Sequence, residues 1–438
     1  MQLKKIKGRM AVATCALLQA TSPMASAAGS EWDVDTSFLY YGEADGRVQA
    51  FEPAIHAGRA LGDDDRIELR LVADALTGAT PNGAYAIDGV AQTFTTPSGN
   101  SSYTIAPGEQ PLDDTFHDTR IALGADYTQS LDRMSRIIWG ANLSTEYDYL
   151  ALGVSANYAR DFNNRNTTLN IGLGFNNDSV DPEGGVPTEF APMKVADTGK
   201  NVSGDSETKT ITDLMIGVTQ VVNRKTIVQL NLTLGSVSGY QNDPYKIVTV
   251  TADPATGLPV NGTDPSFFDS GVTGNLPYVY EKRPDSRQKN ILFFKAMHHL
   301  EEDVVDFSYR YYSDDWGINS HTLGLKYRYQ LADSYLQPQV RYYSQSAADF
   351  YRHNLVLGSD IDVSGNVLVD YASHDYRLAE SETITLGLKY GMPMANDSEF
   401  SVRAGLITQS VNDGAVPAGQ ETPDLDAMML QVNYSFVW

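Results

Sequence analysis

Apolar and polar residues alternate with a period of two along most of this chain, and the 3.6-residue repeat of an amphipathic helix is nearly absent. Leu169, Ile171, Leu173 and Phe175 share one face of such a segment, while Asn170, Gly172 and Gly174 share the other. Leu323, Leu325, Tyr327 and Tyr329 stand against Gly324, Lys326 and Arg328 in the same way. The pattern predicts sixteen strands, at 31–41, 47–60, 66–77, 117–128, 135–148, 150–161, 167–177, 208–221, 226–238, 287–299, 304–313, 320–330, 335–345, 382–391, 399–410 and 427–438. Most are close to the ~9–11 residues that a tilted strand needs to cross a bilayer.

The connections sort by parity. Every even-numbered one is short: 62–65, 130–133, 162–166, 222–225, 300–303, 331–334 and 392–398. The long segments 78–116, 178–207, 239–286 and 346–381, with a medium one at 411–426, are all odd-numbered. In an up-and-down barrel these five fall at one end, matching the short periplasmic turns and long outer loops of outer-membrane barrels. A β-sandwich has no reason to segregate loop length in this way. No run approaches the ~18 apolar residues of a transmembrane helix, so a spanning fold has to be a closed barrel. The expected fold class is therefore all-β: a porin-like, up-and-down antiparallel transmembrane β-barrel of about 16 strands, with about 14–18 as the range. An even count places both termini in the periplasm.

The two ends of the chain agree with this. Lys4, Lys5, Lys7 and Arg9 precede an apolar run from Met10 to Leu18, and Ala25-Ser26-Ala27 forms an A-x-A cleavage site. Residues 1–27 thus read as a signal peptide cut after Ala27, and 28–438 as the barrel. At the other end Val432, Tyr434, Phe436 and Trp438 complete a strict alternation that starts at Met428. They resemble the C-terminal signal that outer-membrane barrels present to the barrel-assembly machinery, in which the last residue is most often Phe. The implied location is the cell outer membrane of a Gram-negative bacterium, with outer-membrane lipid and the assembly machinery as partners. Cys15, the only cysteine, lies in the signal peptide, so disulfides and thiolate chemistry are excluded from the mature chain.

Charge narrows the function classes. The chain holds 55 Asp plus Glu and 32 Lys plus Arg; losing the four signal-peptide bases leaves 28, a net charge of −27. No basic stripe offsets that field, so nucleic acid is not expected as a partner. Segments 78–116, 178–207, 240–284 and 411–425 together carry 19 acids and 5 bases, about half of the net charge. A solvated surface accounts for these loops. The functional alternative is divalent-cation bridging to anionic surface lipid, or a charge filter at a pore mouth.

With the apolar face of each strand turned to lipid, the alternate face lines the lumen. Strands 11 to 15 then project Arg310, Lys326, Arg328, Arg341, Lys389 and Arg403 inward. Strands 5 to 7 project small or polar groups: Asn142, Ser144, Glu146, Gly153, Ser155, Asn157, Asn170, Gly172 and Gly174. A pore with one basic wall and one smooth wall has a transverse field favouring anionic or zwitterionic solutes. The competing reading pairs these cations with Asp306, Asp126, Glu68 or inward-folded acidic loops, so that they only stiffen the lumen. Aromatics cluster near strand ends, as in Tyr40-Tyr41, Tyr147 with Tyr149, Tyr311-Tyr312, Tyr342-Tyr343 and Phe350-Tyr351. An interfacial girdle is the expectation for them, with a sugar-stacking path as the alternative for inward-facing Tyr312 and Tyr343.

Catalytic and cofactor signals are weak, and neither an enzyme nor a cofactor is expected. Asp314-Asp315-Trp316-Gly317 with Ser320-His321 gathers acids, a serine and a histidine at the outer rim, yet Asp-Asp-x-Gly is also ordinary turn chemistry. His298 and His299 are adjacent, so they face opposite sides of a strand. His56, His117, His353 and His374 are scattered without ligand spacing, and no metal site is expected.

Several strings carry a family resemblance: residues 74–84, 164–169, 242–246, 309–317 (Tyr-Arg-Tyr-Tyr-Ser-Asp-Asp-Trp-Gly) and 341–351 (Arg-Tyr-Tyr-Ser-Gln-Ser-Ala-Ala-Asp-Phe-Tyr). Together they resemble an uncharacterised bacterial outer-membrane β-barrel family, catalogued as a domain of unknown function, from about residue 30 to the C-terminus. The resemblance implies the barrel fold and, through neighbouring periplasmic flavin-transfer and thioredoxin-like proteins, a periplasmic redox partner. It implies no catalytic residue. The leading expectation is a channel or porin-like conduit for small solutes or ions. A structural or partner-binding barrel serving a periplasmic redox or assembly system comes second, and an outer-rim hydrolase third.

Overall fold

A computed structural model describes residues 31–438 apart from 63, 114–116, 198, 261–274 and 363–364. The expected signal peptide, with Ala25 and Ala27, lies outside the described residues. Sixteen long strands form one closed antiparallel barrel in which each pairs with its sequence neighbours. They are β1 (Trp32–Glu43), β2 (Val48–Leu61), β3 (Asp65–Gly78), β4 (His117–Asp132), β5 (Ser135–Thr145), β6 (Tyr149–Phe162), β7 (Thr167–Val180) and β8 (Glu207–Asn223). The second half comprises β9 (Thr226–Gly239), β10 (Ser286–His299), β11 (Val304–Asp314), β12 (Asn319–Gln330), β13 (Tyr335–Gln345), β14 (Glu380–Pro393), β15 (Glu399–Asn412) and β16 (Leu425–Val437). The predicted count, order and loop parity all hold. Strand ends move by one to a few residues; Glu146, expected inside strand 5, lies beyond it on the outer connection.

Closure depends on β16 meeting β1. Val437 faces Asp33, Phe436 faces Val34, and the register runs on to Ala427 opposite Glu43. Beyond the strand proper, Trp32 and Trp438 exchange both backbone hydrogen bonds, each at 2.8 Å. Tyr434 and Phe436 stack on the outer face at 5.3 Å between ring centroids, and Trp438 is exposed. At the periplasmic end the β6–β7 turn puts Asn163, Asn164 and Arg165 in the left-handed region, which the short polar Asn side chain tolerates.

The alternation sorts chemistry as a membrane barrel demands. Large apolar side chains stand outward, such as Val154, Ile171, Leu173, Leu386 and Leu406, the last of which is 65% exposed. Their neighbours Asn157, Asn170, Asn176 and Asp213 point inward and are buried. Adjacent aromatics on a strand split between the faces, so only one member of such a pair can belong to a lipid girdle; Phe350 and Tyr351 instead pack in the cap with Trp316 and Leu378. Tyr41, Tyr149, Tyr312 and Tyr343 are buried on the inner face, whereas Tyr147 is 80% exposed.

The long outer loops are not loose surface. They build a cap with its own four-stranded sheet, in the order Pro192–Lys194, Asn275–Tyr280, Ile247–Thr251, Asn354–Val356. Every residue of Ile247–Thr251 is buried. On one side Val248 and Val250 pack with Val279, Leu355, Ile361 and Ala372; on the other Ile247 packs with Phe94, Met193, Tyr278 and Tyr280. The cap draws on four separate connections, 79–116, 181–206, 240–285 and 346–379.

A buried ion network fastens these loops to each other. Arg283 pairs with Glu281 at 2.6 Å and with Asp375 at 2.8 Å, and Arg377 pairs with both Asp375 and Asp243. Lys246 reaches the Pro81 carbonyl on another loop. Burial pushes the Asp243 carboxyl up, but Arg377 and Lys246 outweigh it and hold the pKa at about 2, against an ordinary 3.8.

Two outcomes follow from this architecture. Leu173→Arg, a charge on the lipid face near mid-strand, is expected to destabilise the barrel by about 2–4 kcal/mol in urea unfolding from vesicles; Leu173→Ala keeps the face apolar and is expected to lose much less. In the cap, Asp375→Leu leaves two buried guanidinium groups short of a partner, at roughly 3–5 kcal/mol. Hydrogen exchange should then quicken in Ile247–Thr251 and Asn354–Val356 while the barrel strands keep their protection. Because the folded pKa of Asp243 is depressed, its contribution is full above the ordinary value of 3.8 and is lost as pH falls toward about 2, which the same exchange measurement reads.

Candidate functional site

All six predicted basic residues, Arg310, Lys326, Arg328, Arg341, Lys389 and Arg403, lie on the inner face of β11 to β15, as the alternation requires. The cross-strand register brings them together. Lys389 and Arg403 are direct partners across β14 and β15, a like-charge juxtaposition that costs stability in a sheet. Lys326 stands opposite Asp306 across β11 and β12 and lies within electrostatic range of it and of Arg403, Lys295 and Lys389.

Their contacts are mostly with aromatic faces. The Arg328 guanidinium lies 3.7 Å from the Tyr335 ring centroid, Arg310 lies 5.4 Å from Tyr312, and Arg341 lies 5.6 Å from Tyr343. Among the described residues, Lys389 is the only one of the six with a carboxylate at ion-pair distance, Glu399 at 3.2 Å. Tyr335 shares that acid, donating its hydroxyl at 2.6 Å. The inner tyrosines therefore support the cations and do not form a sugar-stacking path of their own.

The carboxylates expected as partners are engaged elsewhere. Asp126 pairs with Arg70, Glu68 with Arg66 at 3.0 Å, and Asp306 with Lys295 at 3.2 Å. Arg66 also meets Asp33 at 3.0 Å, and Arg120 meets Asp74 at 2.6 Å. Asp126 and Glu68 thus belong to a neutralised network on β1 to β4. Between the two sides runs the smooth wall of β5 to β7. There the Asn142 and Asn176 carboxamides fold over the bare Cα of Gly153.

Above the wall a cavity of about 420 Å³ opens between barrel and cap. Lys209, Arg287 and Lys289 of the barrel and Lys246, Arg283 and Arg377 of the cap line it together with six acids, Asp113, Asp118, Glu146, Asp148, Glu183 and Asp243. Arg287, Lys289 and Lys295 escaped the sequence reading of the basic wall because they lie on β10, one strand before it. The same parity rule finds them.

The rim constellation does not assemble as a catalytic group. Ser320 is buried and His321 is exposed on the opposite face of β12, where it meets Tyr309 at 2.8 Å. Asp314 is taken up by Arg287 and by the backbone amides of Trp316 and Ile318, and Asp315 accepts from the Gln288 amide. These acids shape the turn.

Two histidines that look scattered in the sequence come together in the cap. His353 and His374 have ring centroids 4.7 Å apart, and Asp413 joins them, with one donor atom of each residue within 4.8 Å of the others. Burial pushes the His353 imidazole down to about 3 and keeps His374 below its ordinary value, so both rings are neutral at pH 7.

Among curated proteins none matches this chain. Among solved structures, the siderophore receptor PirA from Pseudomonas aeruginosa aligns with a TM-score of 0.42 and 5% identity, over 92% of this chain and 61% of its own. OccK2 (OpdF) from Pseudomonas aeruginosa aligns with a TM-score of 0.41 and 9% identity over 93% and 97%. The outer membrane protein opdK from the same organism aligns with a TM-score of 0.37 and 9% identity over 93% and 99%. The chain spans less than two thirds of the length of the PirA receptors it matches, 61% and 58%. The family model described as "Protein of unknown function (DUF3570)" matches residues 7–436, nearly the whole chain. This outer-membrane-type β-barrel belongs to that family.

Proposed function

We propose that the barrel is a conduit for small anionic or zwitterionic solutes across the outer membrane, with the basic wall of β11 to β15 setting its preference. The observation that carries this reading is the unpaired state of that wall. Among the described residues, Arg310, Lys326, Arg328, Arg341 and Arg403 have no carboxylate at ion-pair distance, whereas Arg66, Arg70 and Arg120 on β3 and β4 are all paired. Unpaired charge in a confined lumen is costly, and a wall serving only as a brace would be neutralised in the way β1 to β4 are. Cations without a carboxylate at ion-pair distance attract mobile anions, and the low-dielectric wall focuses that attraction.

The lumen away from the wall is polar too: the side-chain amides of Asn157, Asn170 and Asn231 point inward from β6, β7 and β9. Solutes arriving from outside meet the cap first, so the cavity beneath it, with its bases from both barrel and cap, is their point of entry.

Purified full-length protein in planar bilayers tests this. Discrete conductance steps are expected, with a reversal potential in a KCl gradient on the anion-selective side. The triple variant Arg310→Gln, Arg328→Gln, Arg341→Gln is expected to lower the anion-to-cation permeability ratio several-fold without abolishing the steps. A protein that inserts without conducting removes the conduit; unchanged selectivity in the triple variant removes the basic wall as its cause.

A further inference from the structure

The cap contains a polar cluster that a conduit has no use for. His353 and His374 lie on the connection from β13 to β14, and Asp413 opens the connection from β15 to β16. A third connection closes over them. Tyr85 stacks on the His353 ring at 4.1 Å with an interplanar angle of 14°, and its hydroxyl donates to the Gly257 carbonyl at 2.7 Å. The cluster thus sits where outer loops from distant parts of the chain converge.

The hydrogen bonding around it prepares donor atoms. His374 is 5% exposed, and its Nδ1 faces the carbonyl oxygen of Gly83. A carbonyl only accepts, so Nδ1 carries the proton and Nε2 keeps its lone pair. That Nε2 is buried without a partner. Both ring nitrogens of His353 are also buried with no well-formed hydrogen bond, although the Gln420 carboxamide faces the ring. Asp413 is oriented from behind: Oδ1 accepts from the Tyr351 hydroxyl at 2.5 Å and Oδ2 from the Thr422 amide at 2.5 Å. A metal-ligating imidazole that donates its other N–H to a carbonyl, and a ligating carboxylate held by outer hydrogen bonds, show this same arrangement.

We propose that His353, His374 and Asp413 bind one divalent transition-metal ion, of the Zn2+ or Co2+ type, which ties the outer loops of the cap together. Two imidazole nitrogens and one carboxylate suit an ion of borderline softness, whereas Ca2+ and Mg2+ take oxygen ligands. Donors at about 2.0–2.2 Å from a tetrahedral ion stand about 3.3–3.6 Å apart. The present limit of 4.8 Å therefore needs a closure of up to about 1.5 Å, which side-chain rotation with a small shift of the connections supplies. Three protein donors leave the ion a further position, which water or the Gln420 carboxamide fills. The inference is independent of whether the barrel conducts.

The experiment uses full-length protein in detergent, stripped with a chelator and titrated with Co2+ and then Zn2+. One Co2+ per chain is expected, with visible d–d absorption that Zn2+ displaces and excess Ca2+ does not. His353→Gln and Asp413→Asn are each expected to weaken binding by about tenfold or more, and Tyr351→Phe, which removes only an outer hydrogen bond, by about tenfold. Heat-modifiable gel mobility establishes that each variant still holds the folded barrel. In hydrogen exchange, Zn2+ should slow the segments around 83–86, 353–356 and 372–375 in the wild type and not in His353→Gln. The proposal is overturned if folded wild type takes up no stoichiometric Co2+. It is also overturned if Ca2+ displaces the ion or His353→Gln binds with unchanged affinity, because either places the metal on the acidic loop surface instead.

Discussion

Hydrocarbon offers no hydrogen-bond partner, so every strand that touches it has to be paired on both edges, and the whole molecule depends on the one pairing that closes the ring. Here that pairing joins the chain's last residues to its first described ones, from Ala427 opposite Glu43 to the mutual hydrogen bonds of Trp32 and Trp438. Closure makes inside and outside unambiguous for every residue. A slip of one residue at this seam would turn Phe436 and Tyr434 inward and Ser435 and Asn433 outward, and neither side would tolerate it. The strict alternation from Met428 to Phe436 is thus the register lock of the seam.

The same geometry explains the cap. An even number of strands running up and down sends every odd connection to the outer end, where eight converge on one mouth. Four are long enough to pair with each other, and Ile247–Thr251 becomes the centre of a sheet that no single loop could form. Water is excluded there, so charges entering that core need partners. Asp243, Glu281 and Asp375 are matched by Lys246, Arg283 and Arg377, three acids with three bases. Apart from Asp413 beside the two histidines, most other loop acids are exposed.

Most of the barrel is legible from the sequence because its physics is local. Period two decides the face, strand length decides the span, and parity decides the end, so all six wall cations were placed on the lumen side from position alone. What stayed hidden depends on residues far apart in the chain. Asp126 and Glu68 have the right face to meet the basic wall, but their own neighbours across β2 to β4, Arg70, Arg66 and His56, claim them first. Ile247 to Thr251 lie inside the long connection 239–286, although a short β-branched run is the mark of a strand buried on both faces. His353, His374 and Asp413 have no local spacing to betray them. Their meeting depends on two different connections folding against a third.

In the proposed anion path the acidic loops and the basic wall oppose each other, and their relative reach decides the outcome. The loop carboxylates stand in water, where exposed charges are screened beyond ~8 Å at physiological salt. Their repulsion is confined to the immediate surface and weakens as ionic strength rises. The wall cations lie inside the barrel, among buried side chains, where fewer counterions fit and the lower dielectric lengthens their range. The cap between the two contributes balanced pairs and adds little field of its own. An anion that passes the rim therefore meets a lumen in which β3 and β4 are already neutralised and β11 to β15 are not. Under the proposed conduit reading, the field across the passage points from the tyrosine-supported cations toward the smooth wall. Selectivity would then depend on which charges remain unpaired within the barrel, and the large negative net charge of the chain would be a poor guide to it.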